Sequence, residues 1–550
     1  MIKPLISLTW KKIWRTAHPS LALLLLSLMG FFYLALIKTS LTSAMETLTM
    51  ILPYLGLLLT GGLIKDELDS RHLEVILTRT STQDIIVAKF LTVLAIIALL
   101  IIAAVLSGLV LILIKPQDME LVELLNLAGR SLVLSFNLIT AGLFLSCWFK
   151  GQINFAVLFF TQFAFLIIME QLGWLNILDN WLMAKNFDLK MLPALLFSPF
   201  IIQKAKSLPL ILIAIFYALI FLAFSYISLK SLGLKKNYRT VPAEEKTPDR
   251  CLSIQELSKS YPSGFFRKNK VLYNISFGIG RMRITGFLGP NGAGKTTTLR
   301  LIIGYLKPDS GLIEIATAHP GISEKVKIGY LSENPALYPF LKVREILDLV
   351  LKLNKGKSPQ RETLIQEILN KFGLQEYAEQ KIKALSKGNL QKLALVLAVI
   401  DDPEIIILDE PYTGLDPIVM NDIRQQIIEL EQKGKTIFLS SHLLPEVDRV
   451  CDEVILINRG KIIGQGRVTD LKLKWRLFTA FQNNDQLKKQ YAQELGIDIS
   501  RMNFFYFLQN DSEKLLKNSF LLTEAARIPQ PELETVFLEA VKSLESVESF

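Results

Sequence analysis

The sequence predicts a multidomain chain, with an all-α transmembrane domain of about six helices followed by an α/β domain built around a phosphate-binding loop. Three observations predict it. Hydrophobic residues make up 51% of the 550 positions, mean hydropathy is +0.36, and nearly all of the apolar excess falls before Lys236. After the polar stretch Lys235–Arg250 the pattern changes to alternating strands and helices. In that second part, Gly289-Pro-Asn-Gly-Ala-Gly-Lys295-Thr296 matches G-x-x-x-x-G-K-[ST].

Composition narrows the function classes. The net charge of +10 invites a nucleic-acid reading, but no basic run is interleaved with aromatics. Lysines and arginines cluster instead beside the apolar segments, as the positive-inside rule describes, and no nucleic-acid partner is expected. Cys147, Cys251 and Cys451 lie far apart with neither metal-ligand nor disulfide spacing. With four histidines in the chain, a Cys/His metal site is not expected.

Taking the elements in order, Ile2, Leu5, Ile6, Trp10, Ile13 and Trp14 recur at helical spacing, while Lys3, Lys11, Lys12 and Arg15 fall mostly on the other side. This reads as an amphipathic helix lying in the membrane interface. A cleavable signal peptide is the other reading, and it is disfavoured because losing the first span would spoil an even span count. A helix needs about 20 apolar residues to cross the hydrocarbon. The candidate stretches are Ser20–Ile37, Thr47–Ile64, Ile85–Ile114, Leu132–Phe149, Ile153–Leu172 and Leu208–Leu232. So many uninterrupted apolar runs could not all be buried in a soluble domain of this size.

The flanks set the orientation. Lys65, Arg71, Arg79 and Lys89 fill the second connection, Lys150 sits in the fourth, and Lys230, Lys235 and Lys236 follow the last span. Lys185, Lys190, Lys204 and Lys206 in the fifth connection weaken the bias there. An even number of spans places both termini and the second domain in the cytoplasm of a multi-pass cell-membrane protein, in contact with the lipid bilayer. No ionisable residue stands near the middle of a span, Glu170 coming closest, which argues against a proton-coupled carrier. Residues 1–236 are therefore the transmembrane domain and 237–250 a linker.

In the second part, Ile284–Phe287 reads as the strand before the phosphate loop and Thr297–Leu306 as the helix after it. Gly289, Gly292 and Gly294 let backbone N–H groups face phosphates, and the helix offers its positive N-terminus. Asn291 and Thr297 complete the expected cradle, with Lys295 on the β- and γ-phosphates and the Thr296 hydroxyl on Mg²⁺. Ile405-Ile-Ile-Leu408 reads as a buried strand ending in Asp409 and Glu410. Asp409 could hold Mg²⁺ and Glu410 could activate the attacking water, whereas an acidic pair after a strand can also be a simple helix cap. His442, after Phe438-Leu-Ser-Ser441, could reach a γ-phosphate from a strand end or be merely structural.

Leu385-Ser386-Lys387-Gly388-Asn389-Leu390-Gln391 resembles the signature motif of ATP-binding cassette (ABC) proteins, in its Leu-Ser-Lys-Gly variant. Gly414-Leu415-Asp416 resembles that family's D-loop, His442 its switch histidine, and Tyr261 stands where the family places an aromatic that stacks on adenine. The resemblance covers residues 251–470, with the motifs in the family's order. It implies an ABC-type ATPase domain using ATP and Mg²⁺. It also implies that Ser386 and Gly388 of one motor domain bind the γ-phosphate held by another; a homodimer is the simplest arrangement, and a heterodimer with a separately encoded half is the alternative. Glu333, in Tyr330-Leu-Ser-Glu333, departs from the family's usual glutamine; a carboxylate oxygen can still meet Mg²⁺, and the effect on coupling is left open.

The membrane half is similar to type-2 exporter permeases, with Lys65–Lys89 resembling their first cytoplasmic loop. The domain order resembles the A subfamily without its large extracellular domains, as expected of a half transporter. Pro531-Glu-Leu-Glu-Thr-Val-Phe537-Leu538 resembles a motif near the end of such motors and also reads as an amphipathic helix. Residues 471–550 are otherwise an accessory region. The leading function is export of an apolar or amphipathic compound, lipid or peptide, whose identity the sequence leaves open. Import and mechanical signalling without a transported substrate are the alternatives.

Overall fold

The computed structural model describes residues 2–16, 82–114, 120–146, 238–242, 250–263, 267–317, 326–355, 360–485 and 519–548, with isolated positions between them. The predicted spans Ser20–Ile37 and Ile153–Leu172 lie outside the described residues, as do nearly all of Thr47–Ile64 and Leu208–Leu232. In chain order the helices used below are α1 (Ile2–Thr16), α2 (Thr82–Ile114), α3 (Leu121–Leu145), α4 (Lys295–Ile302), α5 (Val343–Lys355) and α6 (Arg361–Lys371). They continue with α7 (Lys387–Val399), α8 (Pro417–Gln432), α9 (Leu444–Val450), α10 (Val468–Gln482), α11 (Ser519–Arg527) and α12 (Leu533–Glu548). Two compact units emerge, one of Met1–Leu232, Ala336–Glu362 and Lys381–Lys383, the other of Gly233–Pro335, Thr363–Gln380 and Ala384–Phe550.

In the first unit, α2 is apolar on every side, the pattern of a helix buried all round or set in lipid. Its stretch Gln83–Leu106 is long and apolar enough to cross a membrane, the one such helix among the described residues. Its inner side packs with α1 and α3 through Ile13, Phe90, Val93, Ile97, Leu124 and Ile139. Hydroxyls within these helices bond back one turn, Thr92 Oγ1 to the Ala88 carbonyl at 2.7 Å and Ser135 Oγ to the Ser131 carbonyl at 2.7 Å. Leu132–Leu145 of the predicted fourth span falls in α3, which begins earlier, at Leu121, and so includes Glu123 and Arg130, and residues 147–149 lie outside the described residues.

The predicted N-terminal helix is α1; on its basic side Lys3 and Arg15 are exposed, and three of the four cations also meet carboxylates. Lys11 and Arg15 each lie 2.7 Å from Glu345 on α5, and Lys12 lies 2.8 Å from Glu67. These carboxylates come from distant sequence. Glu67 also pairs with Lys89 at 2.8 Å and accepts from the Tyr338 hydroxyl at 3.4 Å. Lys89, Glu67 and Tyr338 are all buried. Burial alone would raise the Glu67 carboxyl, but Lys89 and Lys12 outweigh it and hold the group below its ordinary range.

The second unit holds two sheets. The strands are β1 (Tyr238–Pro242), β2 (Arg250–Ser263), β3 (Arg267–Gly280), β4 (Ile284–Leu288) and β5 (Ser310–Thr317). They continue with β6 (Ile328–Leu331), β7 (Ile405–Asp409), β8 (Thr436–Ser441), β9 (Glu453–Asn458) and β10 (Lys461–Arg467). One sheet runs β1-β5-β2-β3 and the other β10-β9-β4-β8-β7-β6. In the larger sheet β9, β4, β8, β7 and β6 are mutually parallel and β10 closes it antiparallel. The continuous apolar runs of β4 and β7 are buried along their whole length, as parallel strands covered on both faces require. Part of the stretch read as a linker forms β1, which adds to the edge of the smaller sheet in parallel with β5 (Tyr238 opposite Ile313).

One apolar cluster joins the two sheets through Phe277, Phe287 and Phe438. The cluster on the other face runs from β4, β7 and β8 into α8, α9, α10 and α12. This arrangement brings the carboxyl ends of β4, β6, β7 and β8 to a common edge, where open α/β sheets place their ligands. At that edge stand the phosphate loop, Glu333, the pair Asp409 and Glu410, and His442.

Candidate active site

The loop between β4 and α4 is shaped by close backbone approach. At Gly294 the backbone has φ +107°, and a Cβ would lie 2.5 Å from Leu272 Cδ2. At Gly289 a Cβ would lie 2.2 Å from the Ile457 carbonyl oxygen. Both positions therefore require glycine. Gly292 also has positive φ, at +81°, in open space. Helix α4 starts at Lys295, two residues before the predicted start, so its first backbone N–H groups belong to the loop. Asn291 is exposed, and Thr296 and Thr297 are partly so.

Lys295 is buried and donates to the Gly289 carbonyl at 2.7 Å and the Pro290 carbonyl at 3.3 Å. Its ammonium also stands 3.3 Å from Glu410 Oε1. Glu410 has φ +51°, a left-handed conformation uncommon for a non-glycine residue. Its backbone N–H donates to the Ser440 carbonyl at 3.2 Å and to Ser440 Oγ at 3.1 Å. Its Oε2 lies 2.7 Å from His442 Nδ1 and also accepts from Thr413 Oγ1 at 3.3 Å.

Asp409 is buried beside it. Ser440 Oγ donates to Asp409 Oδ1 at 2.7 Å and Thr296 Oγ1 donates to the same oxygen at 3.2 Å. Asp409 Oδ2 is buried with no hydrogen-bond partner among the described residues. Burial raises this carboxyl above its usual range; the Ser440 and Thr296 hydroxyls act against the rise, and the charges of Glu333 and Glu410 add to it. An unpartnered carboxylate oxygen beside a threonine hydroxyl and among negative charge is the oxygen-donor set a hard divalent cation takes. The residues fit Mg²⁺.

Of the predicted residues, Lys295, Thr296, Asp409, Glu410 and His442 are linked by direct contacts, and Glu333 is exposed and close enough for its charge to act on Asp409. Tyr261 OH is 3.4 Å from Thr297 Oγ1, which puts the aromatic beside the loop. Ser386 and Asp416 act instead as N-caps of α7 and α8. Ser386 Oγ accepts from Asn389 N at 3.3 Å, and Asp416 Oδ1 accepts from Ile418 N at 3.1 Å and Val419 N at 2.9 Å. Gly388 is buried against Val419, 3.0 Å from where a Cβ would stand. Ser386 and Asp416 are both exposed and make no side-chain hydrogen bond to residues 289–297 among the described residues.

Sequence reading missed Ser440 and Thr413. Ser440 fixes both acidic residues, and its only sequence signal is a polar residue facing inward at the end of an apolar strand.

The family model described as ABC transporter matches residues 272–413. An uncharacterized ABC transporter ATP-binding protein of Methanocaldococcus jannaschii is 37% identical over 246 residues, 45% of this chain and 88% of that protein. The bacitracin transport ATP-binding protein of Bacillus licheniformis is 36% identical over 252 residues, 45% of this chain and 80% of that one. A solved ATP-binding subunit of an ABC transporter is 29% identical, covering 41% of this chain and 93% of its own, with a TM-score of 0.36.

Proposed function

The chain belongs to the ABC transporter ATP-binding proteins and is an ATPase linked to transport, and from that premise we propose that it is an exporter subunit carrying its own membrane domain. Its cargo is an apolar or amphipathic compound, lipid or peptide. One observation carries this reading: the chain that holds the ATPase site also holds α2, whose outer side leaves Leu99, Ile102 and Leu106 more than half exposed. Such a surface is disfavoured in water and suited to lipid. Residues 1–236, with about six spans, make the pathway; 237–250 link it to the nucleotide domain at 251–470; and both termini lie in the cytoplasm. That one relative is named for bacitracin transport favours transport over an ATPase without cargo.

The mechanism follows from the site. Lys295 and the N–H groups at the start of α4 bind the phosphates, with Gly289, Asn291, Gly292, Gly294 and Thr297 shaping the cradle and Tyr261 stacking on adenine. Thr296, Asp409 and Glu333 would hold Mg²⁺, which offsets phosphate charge. Glu410 accepts a proton from the attacking water, and its carboxylate is held in place by His442 and Thr413. His442 also bears on the γ-phosphate. Ser386, Gly388 and Asp416 serve the site of a second copy; Ser386 and Asp416 are exposed caps with no bond to their own chain's loop among the described residues, and the buried Gly388 shapes the start of α7.

The test is transport itself. Purified protein in liposomes is given candidate lipids and peptides, and ATP hydrolysis and cargo movement are measured together. Stimulated hydrolysis with outward movement from the ATP-facing side is expected. Hydrolysis that never moves or responds to any such compound would favour signalling, and movement toward the ATP-facing side would make the protein an importer.

A further inference from the structure

Helix α9 begins two residues after His442, and both of its carboxylates are taken by cations from other elements. Glu446 Oε2 accepts from Arg424 Nε at 3.0 Å, and Arg424 lies on α8, the helix that Asp416 caps. Asp448 faces the C-terminal helices. Lys472 Nζ of α10 lies 2.7 Å from Asp448 Oδ1 and 2.8 Å from Oδ2, and the backbone N–H of Leu533, the first residue of α12, donates to Oδ2 at 3.4 Å. The pair is mostly shielded from water, with side-chain exposures of 13% and 19%.

Packing removes slack from the same helix. Val447 and Val450 of α9 share one buried cluster with Leu471 and Leu477 of α10 and with Leu533 and Val536 of α12. On its sheet side, α9 lies so close to β4 that a Cβ at Gly286 would meet Val447 Cγ1 at 2.8 Å and Cys451 Sγ at 3.1 Å. The C-terminal helices are themselves tied together. Arg476 Nε of α10 donates to the Ala525 carbonyl of α11 at 2.8 Å, and α10, α11 and α12 share one buried cluster through Leu471, Ala525 and Val536. A displacement of α10 or α12 therefore reaches α9, and α9 has only Leu443 between it and His442.

We infer that the C-terminal helices brace α9, with Asp448 as a positioning residue that sets His442 against Glu410 and so sets the rate of hydrolysis. The accessory region is then a control element of the motor rather than a passive extension. A mispositioned group far from the chemistry slows the reacting step without weakening ground-state binding. The inference rests on the roles given above to Glu410 and His442.

The experiment uses the full-length protein in detergent with MgATP, reading kcat, KM for ATP and Tm. Asp448→Asn and Lys472→Met are compared with the conservative Lys472→Arg and with His442→Ala. The first two are expected to lower kcat by about ten- to a hundredfold with KM within about twofold, while Lys472→Arg keeps the native rate. A fall in Tm with native kcat in Asp448→Asn or Lys472→Met, alongside a strongly slowed His442→Ala, overturns the brace and leaves the site reading intact. A native rate in His442→Ala overturns the role given to His442 and the brace with it.

Discussion

Glu410 Oε2 lies 2.7 Å from His442 Nδ1, while Glu410 Oε1 lies 3.3 Å from Lys295 Nζ. The carboxylate is thus suspended between His442, just past β8, and Lys295, at the start of α4, on a backbone held at φ +51° by its bonds to Ser440. That conformation costs about 1–3 kcal/mol and aims the acid into the site, which is the geometry a general base needs. Glu410→Gln keeps the size and the hydrogen-bonding reach but cannot take a proton. ATP binding should persist, and hydrolysis should fall by about 10²–10⁴-fold. Phosphate release alongside binding of a fluorescent ATP analogue checks this, and turnover near the native rate would assign the base elsewhere.

Asp409 separates stability from activity. Its carboxyl is raised by burial, so its charged form costs folding free energy at any pH above its ordinary titration range. Asp409→Asn removes that cost while keeping an acceptor for Ser440 and Thr296. At neutral pH, without nucleotide or Mg²⁺, Tm should stay level or rise, and the gain should shrink as pH falls through the raised pKa and the native carboxyl takes up its proton. Mg²⁺-supported hydrolysis should drop by at least about 10²-fold, the scale of losing a metal's charge stabilisation. A lower Tm at neutral pH would mean that Asp409 is a stabilising group and not one strained toward function.

Glu67 is the opposite case. It sits between Lys12 and Lys89, and its carboxyl is held low, so its contribution to stability is complete at neutral pH and is lost as pH falls through the depressed pKa. Glu67→Gln removes the charge that neutralises the buried Lys89 and the part-buried Lys12, and breaking a buried pair such as Lys89–Glu67 costs about 3–5 kcal/mol. Thermal unfolding in detergent should show a marked loss. Part of it should return in the triple variant Lys12→Met/Glu67→Gln/Lys89→Met, which removes the stranded charges. A single variant as stable as the native protein would show that water reaches the cluster.

The catalytic residues were legible because each stands where an apolar run ends. Lys295 follows Ile284–Phe287, Asp409 follows Ile405–Leu408, and His442 follows Phe438. A parallel sheet aligns such ends, so linear spacing carries spatial information. Contacts between distant segments left no such trace. The spacing of Leu5 and Ile13 marks the inner side of α1, but nothing near Lys11 points to Glu345, hundreds of residues away. Glu67 falls in the charged connection Lys65–Lys89, and its burial depends on Lys89 and Tyr338 closing over it. Tyr238–Pro242 looked like a linker because a short strand ending in proline becomes a strand only through its partner β5.

The final prediction is that the working unit is a homodimer with two equivalent composite sites. Each chain has one phosphate loop with Lys295, one acidic pair at Asp409 and Glu410, and one signature segment at Ser386. The first two meet within the chain, whereas the Ser386 side chain is exposed and, among the described residues, bonds only within its own helix cap. A second copy offering its signature segment would complete the site, and closed two-fold symmetry completes both at once. A chain with Lys295→Ala and a chain with Ser386→Arg should each be inactive alone. In a mixed dimer, the intact Lys295 of the second chain meets the intact Ser386 of the first, and one of the two sites works. With equimolar chains pairing at random, half of the dimers are mixed, so hydrolysis should recover to about a quarter of the native rate. The chains are tagged differently so that mixed dimers can be isolated by two affinity steps. No hydrolysis from isolated mixed dimers would exclude independently working shared sites, and activity in either parent alone would show that a single chain builds a complete site.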